Sequence, residues 1–361
     1  MTAIATGFSP GEMPPAWANH PSVSSVGLLS VVIPFCNEKA VVGPLVTRLR
    51  PVLDGLIRDG HAASYELVCV DDGSTDGTVR ELEGAGAGWP ELCLLVLRRN
   101  VGQQIAITAG LEAASGDWAV TLDADLQDPP ELLPDMLRAA ARHGVDVVYA
   151  CHGDRPGDGR LARTLAAGYY RVVGRLAGVP LQPHVGDYRL MSRRVLDALA
   201  ALPERHRVHR LLLPWLGFSS VTLSHRREPR AAGATHYSTW RLLNITIDSI
   251  VGFTTAPLRI ATLLGVATGL VSLALTVVSV IAKVAGASIP GWASLAVAVT
   301  FLGGVQLICT GVLGEYVGRT FAEVQRRPLY DVATARQPGR ERGEEPGRFQ
   351  LRPAEPGPDG A

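Results

Sequence analysis

The sequence predicts an α/β protein in which a Rossmann-like, mostly parallel sheet is followed by two transmembrane helices. Three observations predict this class: short apolar runs alternate with helical patterns in the N-terminal half, polar residues follow those runs, and two long uncharged runs come near the C-terminus. A length of 361 residues with 47% hydrophobic residues allows both a sizeable core and a membrane segment. The formal net charge of zero argues against a general nucleic-acid binder, so we expect no nucleic-acid partner.

The predicted sheet follows from a regular alternation of strand and helix patterns. Apolar runs predict strands at 29–34, 66–70, 92–97, 118–122 and 145–150. Helical spacing between these runs predicts helices at 45–57, 75–83, 104–114 and 130–143. The apolar runs are continuous rather than alternating, which is typical of strands buried on both faces of a parallel sheet. Ligands of such sheets bind outside the carboxyl ends of the strands.

Two later runs have the length and composition of membrane spans. Residues 260–281 and 293–313 carry no charge over 22 and 21 positions, and each would span roughly 30 Å as a helix. The alternative is a buried helical hairpin in a large soluble core. Arginines flank the outer ends of the two runs at Arg259, Arg319, Arg326 and Arg327. We therefore expect a multi-pass protein of the inner or plasma membrane, with both termini and the α/β domain in the cytoplasm.

Composition and hydrophobic periodicity predict where the other segments of the chain begin and end. Residues 1–27 and 335–361 are rich in Pro and Gly without periodicity, and we expect a disordered lead-in and a disordered tail. The other predicted segments are the α/β domain at 28–237, an amphipathic juxtamembrane helix at 238–257, two membrane helices with a short loop at 258–314, and a cytoplasmic juxtamembrane helix at 315–334. A simple linker helix is the alternative for the amphipathic segment.

Two acidic motifs follow predicted strands. Asp123 and Asp125 lie two residues apart after the fourth run, so their carboxylates point to one side and could share Mg²⁺ or Mn²⁺, which can clamp the diphosphate of a nucleotide. Solvated surface acids are the alternative. Asp72 ends the second run before Gly73, which permits a tight turn. Its carboxylate could accept a hydrogen bond from a base N–H or a ribose hydroxyl, or it could serve only a capped turn.

Together these segments resemble the family-2 glycosyltransferases, and within them the polyprenyl-phosphate glycosyltransferases related to dolichyl-phosphate mannose synthase. The first group of motifs is VVIPFCNE at 31–38, DDGSTDGT at 71–78, NVGQQ at 100–104 and DADLQDPPE at 123–131. The similarity continues past the predicted sheet with GDYRL at 186–190, LPER at 202–205, WLGF at 215–218, an R-x-x-G-x-T-H-Y segment at 230–237, GEYVGR at 314–319 and RPLY at 327–330. It covers roughly residues 28–331.

The resemblance implies a GT-A fold and inverting transfer of a sugar from a UDP- or GDP-linked donor to membrane polyprenyl phosphate. It implies a nucleotide-sugar site made by Pro34, Asn37, Glu38, Asp72, Gln104, Asp123, Arg205, Arg230 and Tyr237. It implies that Mg²⁺ or Mn²⁺ is held by Asp123, Asp125 and Gln127, with Asp187 and Asp125 as catalytic residues. Arg163 and Arg155 would face the acceptor phosphate. A structural partnership with Arg189 is the alternative for Asp187, and a homo-oligomer stays open.

Three residues depart from the pattern of the family, and two other functions stay open. Cys36, His152 and His236 stand where the family usually has Tyr, Arg and Lys, which bears on donor preference or pH range rather than on the reaction class. A processive polysaccharide synthase would commonly add a Q-x-x-R-W motif and further spans. A non-catalytic membrane scaffold would be expected to lose its acidic residues, which are intact here. The turn after the first strand also lacks the G-x-G-x-x-G of a dinucleotide-binding oxidoreductase.

Overall fold

The computed structural model describes residues 26–152, 185–204, 207–225, 256–285 and 291–336. They belong to two compact units. Of the described residues, one unit contains 26–152, 185–204, 207–225 and 328–336, and the other contains 256–285 and 291–327. Residues 1–25 of the predicted lead-in, almost all of the predicted amphipathic helix at 238–257 and most of the predicted tail lie outside the described residues. The last two residues of the predicted lead-in belong to a strand that begins at Val26.

The described part of the first unit contains an eight-stranded sheet in the order β7-β5-β6-β4-β1-β2-β3-β8. In chain order the strands are β1 Val26–Phe35, β2 Ala62–Asp71, β3 Leu92–Leu97, β4 Trp118–Thr121, β5 Val147–His152, β6 Val185–Ser192, β7 Ser220–His225 and β8 Val332–Arg336. The pairs β1–β2, β2–β3, β1–β4 and β5–β7 are parallel, whereas β6 and β8 pair with their neighbours in antiparallel fashion. The predicted α/β class and all five predicted strands are confirmed.

Helices alternate with these strands. They are α1 Lys39–Arg58, α2 Thr78–Gly86, α3 Gln103–Ala113, α4 Leu133–His143 after the 3₁₀ turn Pro130–Leu132, α5 Arg193–Ala201 and α6 His209–Leu216. The four predicted helices are confirmed, with α1 beginning at Lys39 rather than at position 45. Two prolines lie inside α1, which is why the sequence pattern placed its start after the first of them.

Alternate residues of the central strand face two apolar layers. Val31 and Ile33 belong to a core that also includes Leu45 of α1, while Val32 faces α3 on the other side of the sheet. All three β1 residues are fully buried, as the continuous apolar run predicted. A Cβ added to Gly110 of α3 would lie 2.3 Å from Cγ1 of Val32, so this glycine lets the helix approach the sheet closely.

Strand β6 is an element that the sequence did not predict, and it carries the GDYRL segment into the sheet. It lies antiparallel between β4 and β5, with Thr121 opposite Arg189. Because the strands run in opposite directions, two residues past Thr121 come opposite two residues before Arg189. This register brings Asp123 and Asp187 to the same place.

Strand β8 comes from the segment after the last long helix and pairs with the edge strand β3. The prediction of a helix over 315–334 is corrected here, since helix ends at Val324 and a strand runs over Val332–Arg336. This strand also crosses the predicted start of the tail at 335. Within the same unit, Arg98 pairs with Asp331 at 2.6 Å.

The second unit contains two long helices, α7 Ala256–Val284 and α8 Trp292–Val324, which pack against each other. Large apolar side chains are exposed along both, including Leu270 at 63% and Leu307 at 74%. Within the described residues, one helix, Phe301–Val324, is long and apolar enough to cross a membrane. It overlaps the second predicted span, while the apolar stretch Ile260–Leu275 of α7 is shorter. A pair of spans therefore stays a prediction.

Candidate active site

The carboxyl ends of the parallel strands carry most of the predicted site. The structure places there Pro34, Asn37 and Glu38 after or at the end of β1, Asp72 after β2, Gln104 at the start of α3, and Asp123, Asp125 and Gln127 after β4, with Asp187 on β6. The predicted residues Arg155, Arg163, Arg205, Arg230 and Tyr237 lie outside the described residues, as does His236. Their roles stay predictions.

Asp72 is buried and organises the loop that leads into α3. Its carboxylate accepts hydrogen bonds from the backbone N–H groups of Val101 at 2.7 Å and Gly102 at 2.9 Å. Burial raises the pKa of Asp72, and these two N–H donors oppose that change. Gly73 has φ +67°, and a Cβ there would lie 2.6 Å from the backbone nitrogen of Asn100. Asp72 and Gly73 thus build the turn that leads into α3, as the turn alternative from the sequence described.

The loops after β1 and β2 are tied together by side chains. Asn37, in the left-handed region with φ +56°, accepts a hydrogen bond from the backbone N–H of Thr75 at 2.8 Å. Its own N–H donates to Oγ of Ser74 at 2.8 Å, and the N–H of Glu38 donates to Thr78 at 3.0 Å. These bonds fix one continuous rim beside the ends of the strands.

A group of carboxylates and amides forms where β4 and β6 meet the N-terminus of α3. The Gln103 amide donates to Oδ1 of Asp123 at 2.8 Å and lies 3.5 Å from Oδ2 of Asp187. The Gln104 amide donates to the same Asp187 oxygen at 2.9 Å. Gln103 was missed as a site residue, although its neighbour in the NVGQQ motif was predicted. The first turn of α3 therefore places two amide donors next to the carboxylates of Asp123 and Asp187.

The second oxygen of Asp187 is paired with Arg189. Arg189 is 1% exposed, and its Nη2 donates to Oδ1 of Asp187 and to the Gly186 carbonyl at 3.0 Å. Its Nε and Nη1 have no hydrogen-bond partner among the described residues. A buried guanidinium needs a counter-ion, and Asp187 is the acid that it contacts. The structural partnership with Arg189 considered from the sequence is present, and the other carboxylate oxygen of Asp187 accepts from the amide of Gln104.

Asp123 lies in a strongly negative environment. Burial raises the pKa of Asp123 well above its usual range, and the charges of Asp187, Asp125, Asp128 and Glu38 raise it further. A divalent cation would offset this repulsion. The residues thus fit a hard metal ion, because carboxylate oxygens are the ligands that Mg²⁺ and Mn²⁺ prefer.

The metal-binding motif does not form a complete protein cage. In the described segments, no group of three or more His, Cys, Asp or Glu side chains is arranged to hold a metal ion. Asp125 is buried and its Oδ1 accepts the backbone N–H of Gln127 at 3.1 Å, around a turn in which Leu126 has φ +58°. Two carboxylates and an amide leave coordination positions that oxygens of a bound diphosphate could fill.

His209 is a buried member of the network that sequence reasoning missed. Its backbone N–H and ring Nδ1 lie 3.3 Å and 3.2 Å from Oε1 of Gln104. Burial lowers the pKa of His209 to about 3; the charges of Arg189 and Arg207 also lower it, against an opposing effect of Asp187. The ring is therefore neutral at physiological pH. A lone histidine at the start of a short helix gives no local signal of such a contact.

Comparisons with known proteins give the family of the chain. Residues 30–200 match the family model described as glycosyl transferase family 2. An uncharacterized glycosyltransferase from Synechocystis sp. is 40% identical over 84% of this chain and 94% of its own length. A prophage-derived bactoprenol glucosyl transferase from Shigella flexneri is 36% identical over 84% of this chain and 97% of its own length. Glucosyl-3-phosphoglycerate synthase from Mycobacterium tuberculosis gives a TM-score of 0.45 at 20% identity, covering 68% of this chain and 84% of that chain.

The α/β sheet and its acidic site, together with these relatives, define a glycosyltransferase. The chain belongs to glycosyltransferase family 2.

Proposed function

We propose that this enzyme transfers a single sugar, with inversion, from a UDP- or GDP-linked donor to polyprenyl phosphate in the membrane. The observation that carries the proposal is the convergence of Asp123, Asp187 and the two amides of α3 at the ends of the strands. Relatives named bactoprenol glucosyl transferase, at 34–36% identity over 84–86% of this chain, support a polyprenyl acceptor.

The donor end of the site is made by the rim of loops after β1 and β2, together with the loop after β3. Asn37 and Glu38 stand on this rim, and Asp72 fixes the loop from Val101 to Gly102. The proposal places the nucleoside along this rim and the diphosphate beside Asp123. Arg205, Arg230 and Tyr237 would complete the donor site from segments outside the described residues.

Asp123, Asp125 and Gln127 would hold a divalent cation next to the diphosphate. When bound, the cation would offset the charge that develops on the departing nucleotide diphosphate. The crowding of acids around Asp123 supports this assignment, since the protein places four other carboxylates close enough to raise its pKa. The proposal leaves Mg²⁺ and Mn²⁺ as alternatives.

The phosphate group of the proposed acceptor is a nucleophile without removal of a proton by the enzyme. A phosphate monoester has a second pKa near 6, so its oxygen is already anionic at about pH 7. Asp187 is held by Arg189 on one oxygen and by Gln104 on the other, which suits a fixed negative charge better than a mobile proton acceptor. We therefore assign Asp187 to stabilising positive charge at the anomeric carbon.

The proposed membrane location and acceptor contacts involve segments outside the α/β site described above. The apolar helix Phe301–Val324 supports a membrane location. Two spans, a cytoplasmic catalytic domain, and contacts of Arg155 and Arg163 with the acceptor phosphate complete the proposal. Reporter fusions at Ala361 and near position 287 should report opposite sides of the membrane, and the same side for both would contradict the two-span arrangement.

The test of function uses membranes that contain the enzyme, supplied with polyprenyl phosphate and a panel of radiolabelled nucleotide sugars. Lipid extraction should recover one labelled product carrying one sugar from one preferred donor. Asp125→Asn serves as the matched control, because it removes a proposed metal ligand with little change in size. A labelled polymer would favour a processive synthase, and absence of product with every donor would favour a scaffold.

A further inference from the structure

We propose that His209 is a positioning residue for the transfer reaction: its imidazole fixes the side-chain amide of Gln104, and that amide holds the Asp187 carboxylate. The inference rests on the proposed function in placing Asp187 at the reacting sugar. His209 is the first residue of α6 and is 3% exposed, so it acts from inside the protein.

The chemistry of the three groups sets the direction of each hydrogen bond. The Asp187 carboxylate accepts hydrogen bonds, so the Gln104 group that faces it at 2.9 Å is the NH₂. The carbonyl oxygen of Gln104 must then face His209, where the backbone N–H donates to it. The ring Nδ1 lies 3.2 Å from the same oxygen and must therefore carry the proton. His209 holds the acceptor end of the amide, and this leaves the donor end for Asp187.

The ring also contacts α3 through Thr108, which lies one helical turn after Gln104. The Thr108 hydroxyl donates to the backbone carbonyl of Gln104 at 2.8 Å and lies 3.4 Å from Nε2 of His209. With Nδ1 protonated, Nε2 can only accept, so the single hydroxyl proton of Thr108 is shared between the two acceptors. The imidazole therefore contacts two positions on one face of α3, and Ile107 and Leu111 line the same small cavity as His209.

Loss of the ring donor would leave the amide with only the backbone N–H to hold it. Rotation of the amide would then turn its oxygen toward Asp187, and two acceptors would face each other. The carboxylate would lose a donor while it remained paired with Arg189. We expect the Asp187 carboxylate to move and the turnover rate to fall. The rim of loops beside Asp72 should keep its structure.

The test compares two variants of similar size, His209→Asn and His209→Leu. The Asn amide nitrogen can occupy the place of Nδ1 and donate, whereas Leu fills the same space without a donor. We expect His209→Leu to lower kcat by about tenfold, as for one lost hydrogen bond. His209→Asn should stay within about threefold of wild type, and the KM for the donor should change less than about twofold in both.

A double-mutant cycle identifies the route of the effect. If His209 acts through Gln104, His209→Leu should cause no further loss in a Gln104→Ala background. Additive losses in the cycle would overturn the proposal. So would equal losses for His209→Asn and His209→Leu, or full turnover of His209→Leu.

A spectroscopic measurement on the wild-type protein covers the case in which His209→Leu does not fold. Histidine ¹⁵N spectra in detergent, assigned with His209→Asn, should show a neutral ring protonated on Nδ1. A neutral ring protonated on Nε2 would overturn the proposal, because that ring could not donate to Gln104.

A wrong assignment of the acceptor can be told apart from a wrong role for His209. Turnover is measured as nucleotide release from the donor in membranes with their native lipids, and labelling of polyprenyl phosphate is measured in a parallel sample. Nucleotide release without labelled polyprenyl product would refute the acceptor and leave the comparison of variants intact. If the wild-type protein releases no nucleotide, the spectra decide the case for His209.

Discussion

Gly73 offers a sharp test of how the donor rim is built. A methyl group at this position would lie 2.6 Å from the backbone nitrogen of Asn100 and 2.8 Å from the carbonyl carbon of Arg99. Relief of this overlap requires the loop to move by about 0.8 Å, if ordinary contact begins near 3.4 Å. Such a shift would break the bonds from Val101 and Gly102 to Asp72, which are 2.7 Å and 2.9 Å long.

The cost of Gly73→Ala can be worked out from these contacts. Two hydrogen bonds to a charged carboxylate contribute about 3–5 kcal/mol together. The left-handed backbone adds about 1–2 kcal/mol for any residue with a Cβ. We therefore expect Gly73→Ala to lower the free energy of unfolding by about 4–7 kcal/mol, and to weaken nucleotide binding because the loop no longer holds its position.

Gly77→Ala is the matched control, because Gly77 also has a positive φ, +93°, but nothing lies closer to its added Cβ than 3.7 Å. It should cost only the backbone strain of about 1–2 kcal/mol and leave nucleotide binding intact. The assays are denaturant unfolding in detergent and calorimetric titration with UDP and GDP. Equal effects of the two variants in both assays would refute the steric reasoning.

Three further predictions follow from the metal site, the buried histidine and the last strand. EDTA should abolish transfer and Mg²⁺ or Mn²⁺ should restore it, and Asp125→Asn should lower the rate by about 10²–10³-fold; full activity in EDTA would exclude the metal role. The pKa of His209 is lowered to about 3 by burial, so stability present above its unfolded pKa near 6.5 is lost as the pH falls toward 3. Denaturant unfolding at pH 7 and pH 5 should show about 2 kcal/mol more loss in wild type than in His209→Asn, and equal losses would contradict this prediction. A chain ending at Arg327 should melt at a lower temperature than one ending at Arg336, because only the second keeps β8; identical melting temperatures would show that the strand does not stabilise the sheet.

Elements built from local pattern could be predicted from the sequence, and elements built from distant pairing could not. The first five strands are short continuous apolar runs between helical patterns, so local composition and run length located them. Strand β6 carries the alternating segment around Asp187 and Arg189, which resembles a loop motif until its partner β4 is known. Strand β8 is short and partly exposed, and its place depends on β3, which lies more than 200 residues earlier.

In the candidate site, too, residues with a local sequence signal could be predicted, and contacts between distant residues could not. Asp123 and Asp125 were predicted because their spacing after a strand is itself a chemical signal. The approach of Asp187 to Asp123 follows from antiparallel register, which no local pattern records. His209 contacts Gln104 across 105 positions of sequence, and a single histidine gives no hint of its partner.

The position of β8 has a consequence for the order in which the enzyme is made. The strand follows both long helices and the seven other described strands in the chain, so a ribosome produces it after all of them. Until it emerges, β3 presents an open edge of unpaired backbone groups, a surface on which other strands can pair. The catalytic sheet is therefore finished only after the candidate membrane helix has left the ribosome. A chain that ends before β8 has a sheet in which the edge of β3 is unpaired. The eight-stranded sheet forms only in a molecule that already contains the apolar helix.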